Sequence, residues 1–375
     1  MSLQELERAL KPWYSSLENP EESQEETLFK LLDIYRKTLY GRKHCANDVS
    51  SVREYREKFP VVSYWDLKPY VDRVLKGEYE ALLNEPPIVF MMTRGTTGES
   101  KVLPVSKFEL NYKVEVSARG LLNYVYRRKR FNILSGCDLN LNFPSKVKSF
   151  NVCGREVPCG YSSGIYAVYN AEARRIKLVP KQEEIDSLGA DLSEEGWRKR
   201  FDLVYRRARG ERVTMLIGVV QVMVKFASYL KKKYGVYPRD VWRELDVIVA
   251  SSAPRIQSVY KSKLKAMYGE SVSIVEIYGA TEGVFAQQLD EKPYVTPNYD
   301  KYFLEVLSKG EFKMLYELKK GDYGRLIVST PSLPRYDIGD IIVCYGENYF
   351  RVIGRAKGSI TLKYWINKFV EALGF

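Results

Sequence analysis

The stretch Thr93-Arg94-Gly95-Thr96-Thr97-Gly98-Glu99-Ser100-Lys101 decides both the predicted fold and the predicted site. It follows the apolar run Ile88-Val89-Phe90-Met91-Met92, which predicts a buried strand. Glycines let backbone N–H groups wrap around an anion, hydroxyl side chains add further donors, and lysine adds a mobile positive charge. The combination therefore predicts a clamp for a triphosphate that follows a strand.

The spacing of this loop separates it from the best-known phosphate loop. A Walker pattern places four residues between its first glycine and the Gly-Lys-Ser/Thr end, whereas Lys101 comes three residues after Gly98. A kinase-type or GTPase-type loop is therefore excluded. Composition alone leaves a second interpretation open, a plain polar turn between two strands, because Gly, Ser and Thr are ordinary turn residues.

Composition limits the class of protein. The chain has 375 residues, 45% of them hydrophobic and 28% charged, which predicts a globular protein with a large core. A single histidine leaves His-based metal sites and triads almost nothing to work with. The five cysteines lack zinc spacing and predict reduced thiols in a cytoplasmic protein. The N-terminus lacks a signal-peptide pattern, and the longest apolar run, residues 215–224, is too short to span a bilayer.

Hydrophobic periodicity predicts mixed α/β structure. Residues 1–80 are predicted to be mainly helical, 107–130 to form one helix, and 130–180 to alternate short strands with turns. Two helices at about 193–209 and 218–234 should follow. The later predictions are a buried strand over 245–250, a crossover helix over 256–268 and a strand over 272–277. The predicted divisions are a helical segment (1–80), an α/β nucleotide-binding core (81–300), a β-rich subdomain (301–356) and a hinge with the remnant of a lid (357–375).

Two short motifs follow the predicted strands of the core. Ser251-Ser252-Ala253-Pro254 places small residues at the end of a strand, where a flat ring can approach the backbone. Tyr278-Gly279-Ala280-Thr281-Glu282-Gly283 follows the next strand and offers an aromatic face, a hydroxyl and a hard oxygen ligand for Mg²⁺. Ordinary strand-to-helix turns and a capping threonine are the alternative interpretation of both.

Two further motifs lie near the end of the chain. Arg335-Tyr336-Asp337-Ile338-Gly339-Asp340 precedes a predicted strand, and Asp340 could accept hydrogen bonds from a ribose diol, with Asp337 the competing candidate. Gly354-Arg355-Ala356-Lys357-Gly358-Ser359-Ile360 adds a second cation between glycines that permit hinge rotation.

In their order and spacing, these five motifs resemble the nucleotide site of the adenylate-forming superfamily over roughly residues 25–370. The segments 59–70, 302–306 and 323–328 are similar to the auxin-responsive amido synthetases, with phenylacetate–CoA ligases and deazaflavin-adenylating synthetases close by. The resemblance implies an α/β fold of helix-flanked mixed β-sheets with a smaller β-rich subdomain, and a largely missing C-terminal lid. It also implies activation of a small-molecule carboxylate with ATP and Mg²⁺, and possibly coenzyme A as co-substrate.

The resemblance implies a role for each matching residue. Lys101, Thr281 and Glu282 would be catalytic, with Glu282 also the metal ligand. The residues implied in nucleotide binding are Thr93, Gly95, Thr96, Thr97, Gly98, Ser252, Ala253, Pro254, Tyr278, Gly279, Asp340 and Arg355.

The sequence departs from the superfamily pattern at three places. Arg94 replaces a small residue in the loop, and Ser252-Ala253 replaces the more common glycines. Only 18 residues follow the hinge position Lys357, and neither Lys363 nor Lys368 matches the lysine that the mobile lid supplies in the family. Incomplete turnover by these residues is therefore expected.

Two alternatives remain open at this point. The chain could transfer AMP to a hydroxyl acceptor such as a deazaflavin, as one branch of the superfamily does. The net charge of +12 and the basic runs at 127–130 and 206–209 suggest instead a non-catalytic nucleotide- or nucleic-acid-binding protein. We regard nucleic acid as the weaker choice, since such runs are usually solvated helix faces. The sequence leaves the oligomeric state undetermined.

Overall fold

The computed structural model describes residues 2–93 and 100–356. Its first part is helical, and α1 begins at a capping box in which the Ser2 side chain accepts the Glu5 backbone N–H while Glu5 reaches back to the Ser2 N–H. The N-terminal helices are α1 (Leu3–Glu18), α2 (Pro20–Tyr35), α3 (Leu39–Lys43), α4 (Val52–Lys58) and α5 (Tyr64–Leu75).

The remaining helices alternate with strands. They are α6 (Lys107–Ser117), α7 (Arg119–Arg128), α8 (Ser162–Arg174), α9 (Gln182–Asp186), α10 (Glu194–Ala208), α11 (Val220–Tyr234), α12 (Pro238–Val241) and α13 (Lys261–Tyr268). The strands are β1 (Pro87–Met92), β2 (Val102–Ser106), β3 (Cys137–Leu139), β4 (Lys148–Val152), β5 (Arg155–Tyr161), β6 (Lys177–Val179), β7 (Val213–Val219), β8 (Val247–Ser251), β9 (Ser273–Gly279), β10 (Val284–Gln287), β11 (Thr296–Pro297), β12 (Phe303–Ser308), β13 (Glu311–Met314), β14 (Tyr323–Ser329), β15 (Tyr336–Gly346) and β16 (Tyr349–Arg355).

The strands form three sheets. The largest has the order β11-β10-β9-β8-β7-β3-β6, and β6, β3, β7, β8 and β9 run parallel. The apolar run Val247-Ile248-Val249-Ala250 of β8 is fully buried, as expected for a central parallel strand covered on both faces. The carboxyl ends of β7, β8 and β9 therefore meet at one edge, where ligands of open α/β sheets usually bind.

Two smaller sheets flank this edge. The first has the order β2-β1-β5-β4. Its strands β1 and β2 are antiparallel neighbours joined by residues 93–101, which we call the phosphate-loop sequence. The second is an antiparallel sheet of order β13-β12-β14-β15-β16. The N-terminal helices pack on it in one shared core that includes Leu31, Tyr35, Phe303 and Tyr336.

The structure corrects three secondary-structure predictions. The helix predicted over 107–130 is broken at Ala118, where the fully buried Arg119 donates to both carboxylate oxygens of Asp300. Residues 130–180 also contain α8, which begins at small polar residues that are typical of turns. The helix predicted over 256–268 begins with a π-helical turn before α13. Tertiary contacts outweighed the local pattern in these cases.

Candidate functional site

A cavity of about 520 Å³ lies at the carboxyl ends of β7, β8 and β9. It is also lined by residues of the two smaller sheets, so that widely separated turns meet around one space. The predicted site residues that line it are Thr93, Lys101, Ser252, Ala253, Pro254, Tyr278, Gly279, Thr281, Glu282, Asp340 and Arg355. The predicted loop residues Gly95, Thr96, Thr97 and Gly98 lie outside the described residues.

The two ends of the phosphate-loop sequence are tied together. The Thr93 backbone N–H donates to the Lys101 carbonyl at 2.9 Å, and the Lys101 N–H donates to the Thr93 hydroxyl oxygen at 2.9 Å. The hydroxyl group of Thr93 keeps its own proton for donation to a ligand. Thr93 and Lys101 thus form a closed pair, joined by two hydrogen bonds, at the base of the loop next to the cavity.

Lys101 and Glu282 are joined through Tyr336. The Lys101 ammonium donates to the Tyr336 hydroxyl at 2.9 Å, and that hydroxyl donates to Glu282 Oε1 at 3.0 Å. The lysine nitrogen lies 3.8 Å from the same carboxylate oxygen and 5.6 Å from the ring centre of Tyr64. A cation and a buried carboxylate therefore face the cavity within one hydrogen-bonded group.

A second group joins Tyr278, Asp340 and Arg355. The Tyr278 hydroxyl donates to Asp340 Oδ2 at 2.8 Å, and Arg355 Nε donates to Asp340 Oδ1 at 2.7 Å. Burial raises the pKa of the Asp340 carboxyl, against the opposing effect of the Arg355 guanidinium. Each carboxylate oxygen keeps a lone pair for a further donor. The competing candidate Asp337 instead binds Arg325 at 2.7 Å and does not line the cavity.

The Ser252-Ala253-Pro254 turn takes an unusual backbone shape. Ser252 has φ +67°, in the left-handed region that favours glycine. The Gln221 side chain donates to the Ser252 carbonyl at 3.2 Å and holds the turn from α11. The serine that replaces the usual glycine is thus accommodated in a glycine-like conformation beside the cavity.

Sequence reasoning missed two residues at this site. Glu276 lines the cavity two positions before Tyr278, on the same side of β9, and burial raises its pKa to about 7. Its position two residues before a site tyrosine on a strand was the available signal.

Lys113 is the second missed residue, and it stabilises the turn that carries Thr281 and Glu282. It is 1% exposed on α6 and donates to the backbone carbonyls of Thr281, at 3.4 Å, and Glu282. Its ammonium also lies 3.2 Å from Glu109, four residues earlier on the same helix. The Glu–Lys spacing is common on exposed helix faces, so nothing in the sequence distinguished this pair.

The protein donors present suit a magnesium ion that takes most of its oxygen ligands from a bound nucleotide. The Glu282 side chain is 5% exposed and offers a carboxylate towards the cavity. Within residues 2–93 and 100–356, no cluster of three or more His, Cys, Asp or Glu side chains could hold a metal ion. One carboxylate plus phosphate oxygens is the arrangement that Mg²⁺ usually adopts beside nucleotides.

The N-terminal part of the chain is similar to a known protein family. Residues 9–169 match the family model described as the GH3 family N-terminal domain. Indole-3-acetic acid-amido synthetase GH3.2 of Arabidopsis thaliana is 32% identical over 106 residues, 28% of this chain and 19% of that protein. Jasmonoyl--L-amino acid synthetase JAR4 of Nicotiana attenuata is 27% identical over 125 residues, 33% of this chain and 21% of that protein. The aligned part thus spans about a fifth of these relatives' length.

Solved structures match nearly the whole length of the chain. The AtGH3.15 acyl acid amido synthetase in complex with 2,4-DB has a TM-score of 0.75 at 15% identity, covering 96% of this chain and 72% of that chain. A 2-hydroxyisobutyryl-CoA ligase has a TM-score of 0.63 at 16% identity, covering 91% of this chain and 69% of that chain. The structural matches confirm the predicted fold class. The match of residues 9–169 to the GH3 family N-terminal domain agrees with the predicted resemblance to the amido synthetases.

Proposed function

We propose that this chain, a member of the adenylate-forming superfamily with a GH3 N-terminal domain, activates a carboxylate with ATP as an acyl-adenylate. The observation that carries the proposal is the meeting of two hydrogen-bonded groups at one cavity. One contains Lys101 and Glu282, and the other contains Asp340. Together these groups would supply a cation for the phosphates, a carboxylate for the metal and an acceptor for the ribose around one space.

The phosphate end of the nucleotide would lie against the loop and the turn that carries Thr281 and Glu282. Lys101, the Thr93 hydroxyl and the loop residues 95–98 would hold the β- and γ-phosphates, and Thr281 would contact the α-phosphate. Glu282 would hold Mg²⁺, which when bound neutralises charge on the phosphates. The Lys101–Tyr336–Glu282 contacts already hold the cation and the carboxylate in place before any ligand binds.

The nucleoside end would lie against β8, β9 and β15. Tyr278 would stack on adenine while the 252–254 turn covers the other side of the ring. Glu276 reaches the same cavity from β9 and could accept a hydrogen bond from the exocyclic amine when ionised. Asp340 would accept the ribose hydroxyls, with Arg355 holding that carboxylate in orientation.

The reaction we propose has two steps. A carboxylate oxygen of the substrate attacks the α-phosphorus, the bond from that phosphorus to the bridging oxygen breaks, and pyrophosphate leaves. An acceptor then attacks the acyl carbonyl carbon, AMP leaves with the bond electrons, and the acceptor loses a proton. Gly279 lines the cavity, and its backbone would lie beside the substrate carboxylate. The protein's contribution is orientation and charge stabilisation.

We favour an amine as the acceptor, because the amido synthetases among the relatives are named for joining acids to amines. Coenzyme A and a hydroxyl such as that of a deazaflavin are the competing acceptors. Label in the α-phosphate of ATP distinguishes the hydroxyl acceptor from the other two. Release of all label as free AMP supports acyl transfer, whereas label retained on the acceptor shows adenylyl transfer.

The remaining properties fit a small-molecule enzyme of the cytoplasm. All five cysteines are free, as in a reducing compartment. Within the described ranges, no helix has both the length and the apolar content needed to cross a membrane. The basic runs are partly neutralised, since Arg128 pairs with Glu291 at 2.9 Å and Arg207 with Glu184 at 2.7 Å. This pairing argues against nucleic acid as a partner.

Calorimetry with ATP·Mg²⁺ tests the proposal. Asp340→Ala should abolish measurable binding or weaken it at least about 10-fold, because a buried ribose acceptor is lost. Asp337→Ala is the matched control, since this aspartate lies three residues away but pairs with Arg325 instead of lining the cavity. Absence of ATP binding by the unmodified chain, or an equal effect of both substitutions, would contradict the proposal.

A further inference from the structure

The cavity is also lined by residues that lie outside the proposed nucleotide-binding set. Its deep end lies between the large sheet and helices α7 and α8 and is walled by apolar side chains: Leu121, Ala167, Ala171, Ile176, Leu178 and Ile217. If the proposed function is correct, this end receives the part of the substrate acid that is remote from its carboxylate. An apolar slot with a few polar groups is the usual form of such a pocket.

One acidic side chain, Asp138, interrupts this apolar surface. It lies on β3, next to the edge strand β6, is 4% exposed, and is level with Leu178 of that edge strand. Its Oδ1 accepts the Ile217 backbone N–H at 3.1 Å, at a point where the pairing of β3 with β7 shifts register. Among the described residues, this is the only hydrogen bond that the Asp138 side chain makes. A second carboxyl oxygen is therefore free for a ligand.

Among the described residues, no cation compensates the Asp138 carboxyl group. Burial raises the pKa of Asp138 well above its usual range, against the opposing effect of the Ile217 N–H. Burial thus favours the protonated form of this group, which donates as well as accepts a hydrogen bond.

Two neighbouring polar groups of the deep end are already engaged. Arg174 donates to Asn170 Oδ1 at 2.7 Å and to the Val114 carbonyl at 3.2 Å. The Asn142 amide donates to Asn140 at 3.1 Å. Asp138, by contrast, still requires a partner when a ligand fills this end. Burying it against a purely apolar ligand leaves a polar group unpaired, which weakens binding.

We propose that Asp138 selects apolar carboxylic acids that carry a hydroxyl group at the end remote from the carboxylate. A hydroxyl can donate to the free carboxyl oxygen and can accept from the protonated form of the acid, so it matches this group in either state. An ammonium group is a poorer match, because it would require an ion pair in an apolar slot. This inference rests on the proposed function and names the substrate class of the same site.

Matched pairs of acids test the inference. Hexanoate is compared with 6-hydroxyhexanoate, and 3-phenylpropanoate with its 2-, 3- and 4-hydroxyphenyl forms, by calorimetry in the presence of a non-hydrolysable ATP analogue and Mg²⁺. In each series, the best hydroxylated acid should bind roughly 10- to 100-fold more tightly than its parent. Asp138→Leu should remove or reverse this ratio, whereas Asp138→Asn, which keeps a donor and an acceptor, should retain part of it.

The controls separate the outcomes. Asp337→Leu, an acid-to-apolar change outside the cavity, should leave the ratio unchanged. Equal affinity within every pair, no binding of any hydroxylated acid, the same ratio in Asp138→Leu, or tighter binding of 6-aminohexanoate than of the hydroxy acid would each overturn the inference. Failure of the unmodified chain to bind ATP·Mg²⁺ would instead overturn the proposed function.

Discussion

Replacing Lys113 by methionine should destabilise the protein far more than an ordinary helix ion pair could explain. The Lys113 and Glu109 side chains are both 2% exposed, and Glu109 Oε2 has no hydrogen-bond partner among the described residues. Loss of the lysine leaves a buried carboxylate without its cation, which costs about 3–5 kcal/mol. It also leaves the Thr281 and Glu282 carbonyls without their donor.

A double-mutant cycle apportions this cost. Lys113→Met with Glu109→Leu removes both charges, so we expect the free energy of unfolding to recover to within about 1–2 kcal/mol of the original, the remainder reflecting the unpaired carbonyls. Urea denaturation followed by tryptophan fluorescence measures each variant. Initial rates of pyrophosphate release should fall mainly through kcat in the double variant, because the turn that carries Thr281 is supported from Lys113.

The matched control is an ion pair of the same spacing on the surface. Lys30 and Glu26 lie 2.9 Å apart at i and i+4, with side chains 64% and 59% exposed. Lys30→Met should change the free energy of unfolding by less than about 0.5 kcal/mol. If Lys113→Met costs no more than Lys30→Met, or if the double substitution is as damaging as the single one, the reasoning about the buried pair is wrong.

Three other changes give independent checks. Burial raises the folded-state pKa of Glu276 from its ordinary 4.5 to about 7, so the contribution of this carboxyl to stability is favourable at low pH and is lost as pH rises through 7. Between pH 5 and pH 8, the free energy of unfolding of Glu276→Gln should therefore rise by about 1–3 kcal/mol relative to that of the unmodified chain, the lower end reflecting partial exposure to the cavity. A pH-independent difference in urea midpoints would contradict this. Gly160→Ala would drive its new methyl group into a backbone carbonyl and should sharply reduce the yield of folded protein, whereas Gly210→Ala meets nothing within 4 Å and should be neutral, as thermal unfolding would show. Trp13→Phe removes the donor to a buried carbonyl at 2.8 Å and should cost about 1–3 kcal/mol, while Trp65→Phe at a side chain 55% exposed should be near neutral; equal shifts in urea midpoint would contradict this.

The sequence could predict the residues at the edge of the parallel sheet because their positions follow from simple rules. The apolar run 247–250 predicts a strand buried on both faces, and polar residues directly after it fall at the carboxyl edge. The choice between Asp337 and Asp340 required the structure, because a difference of three positions on a strand puts side chains on opposite faces. The roles assigned to individual site residues remain predictions.

Contacts between distant segments could not be read from local patterns. Tyr336 reads as a core aromatic in the sequence, yet its hydroxyl joins Lys101 to Glu282. Gly164, near the start of α8, looks like part of a turn, but a side chain there would overlap the Phe143 carbonyl, so the glycine permits close packing instead. Such features depend on which surfaces meet, and periodicity carries no information about that.

The closed pair between Thr93 and Lys101 has a consequence for how this site can diversify. Since the two strands are joined at the base of the connection, the entropy of closing it depends only weakly on what lies between them. Residues 94–99 could therefore be exchanged or lengthened while β1 and β2 keep their alignment. If these residues bind the phosphates as proposed, exchanging them would change which polyphosphate the site prefers without altering the pocket proposed for the organic acid.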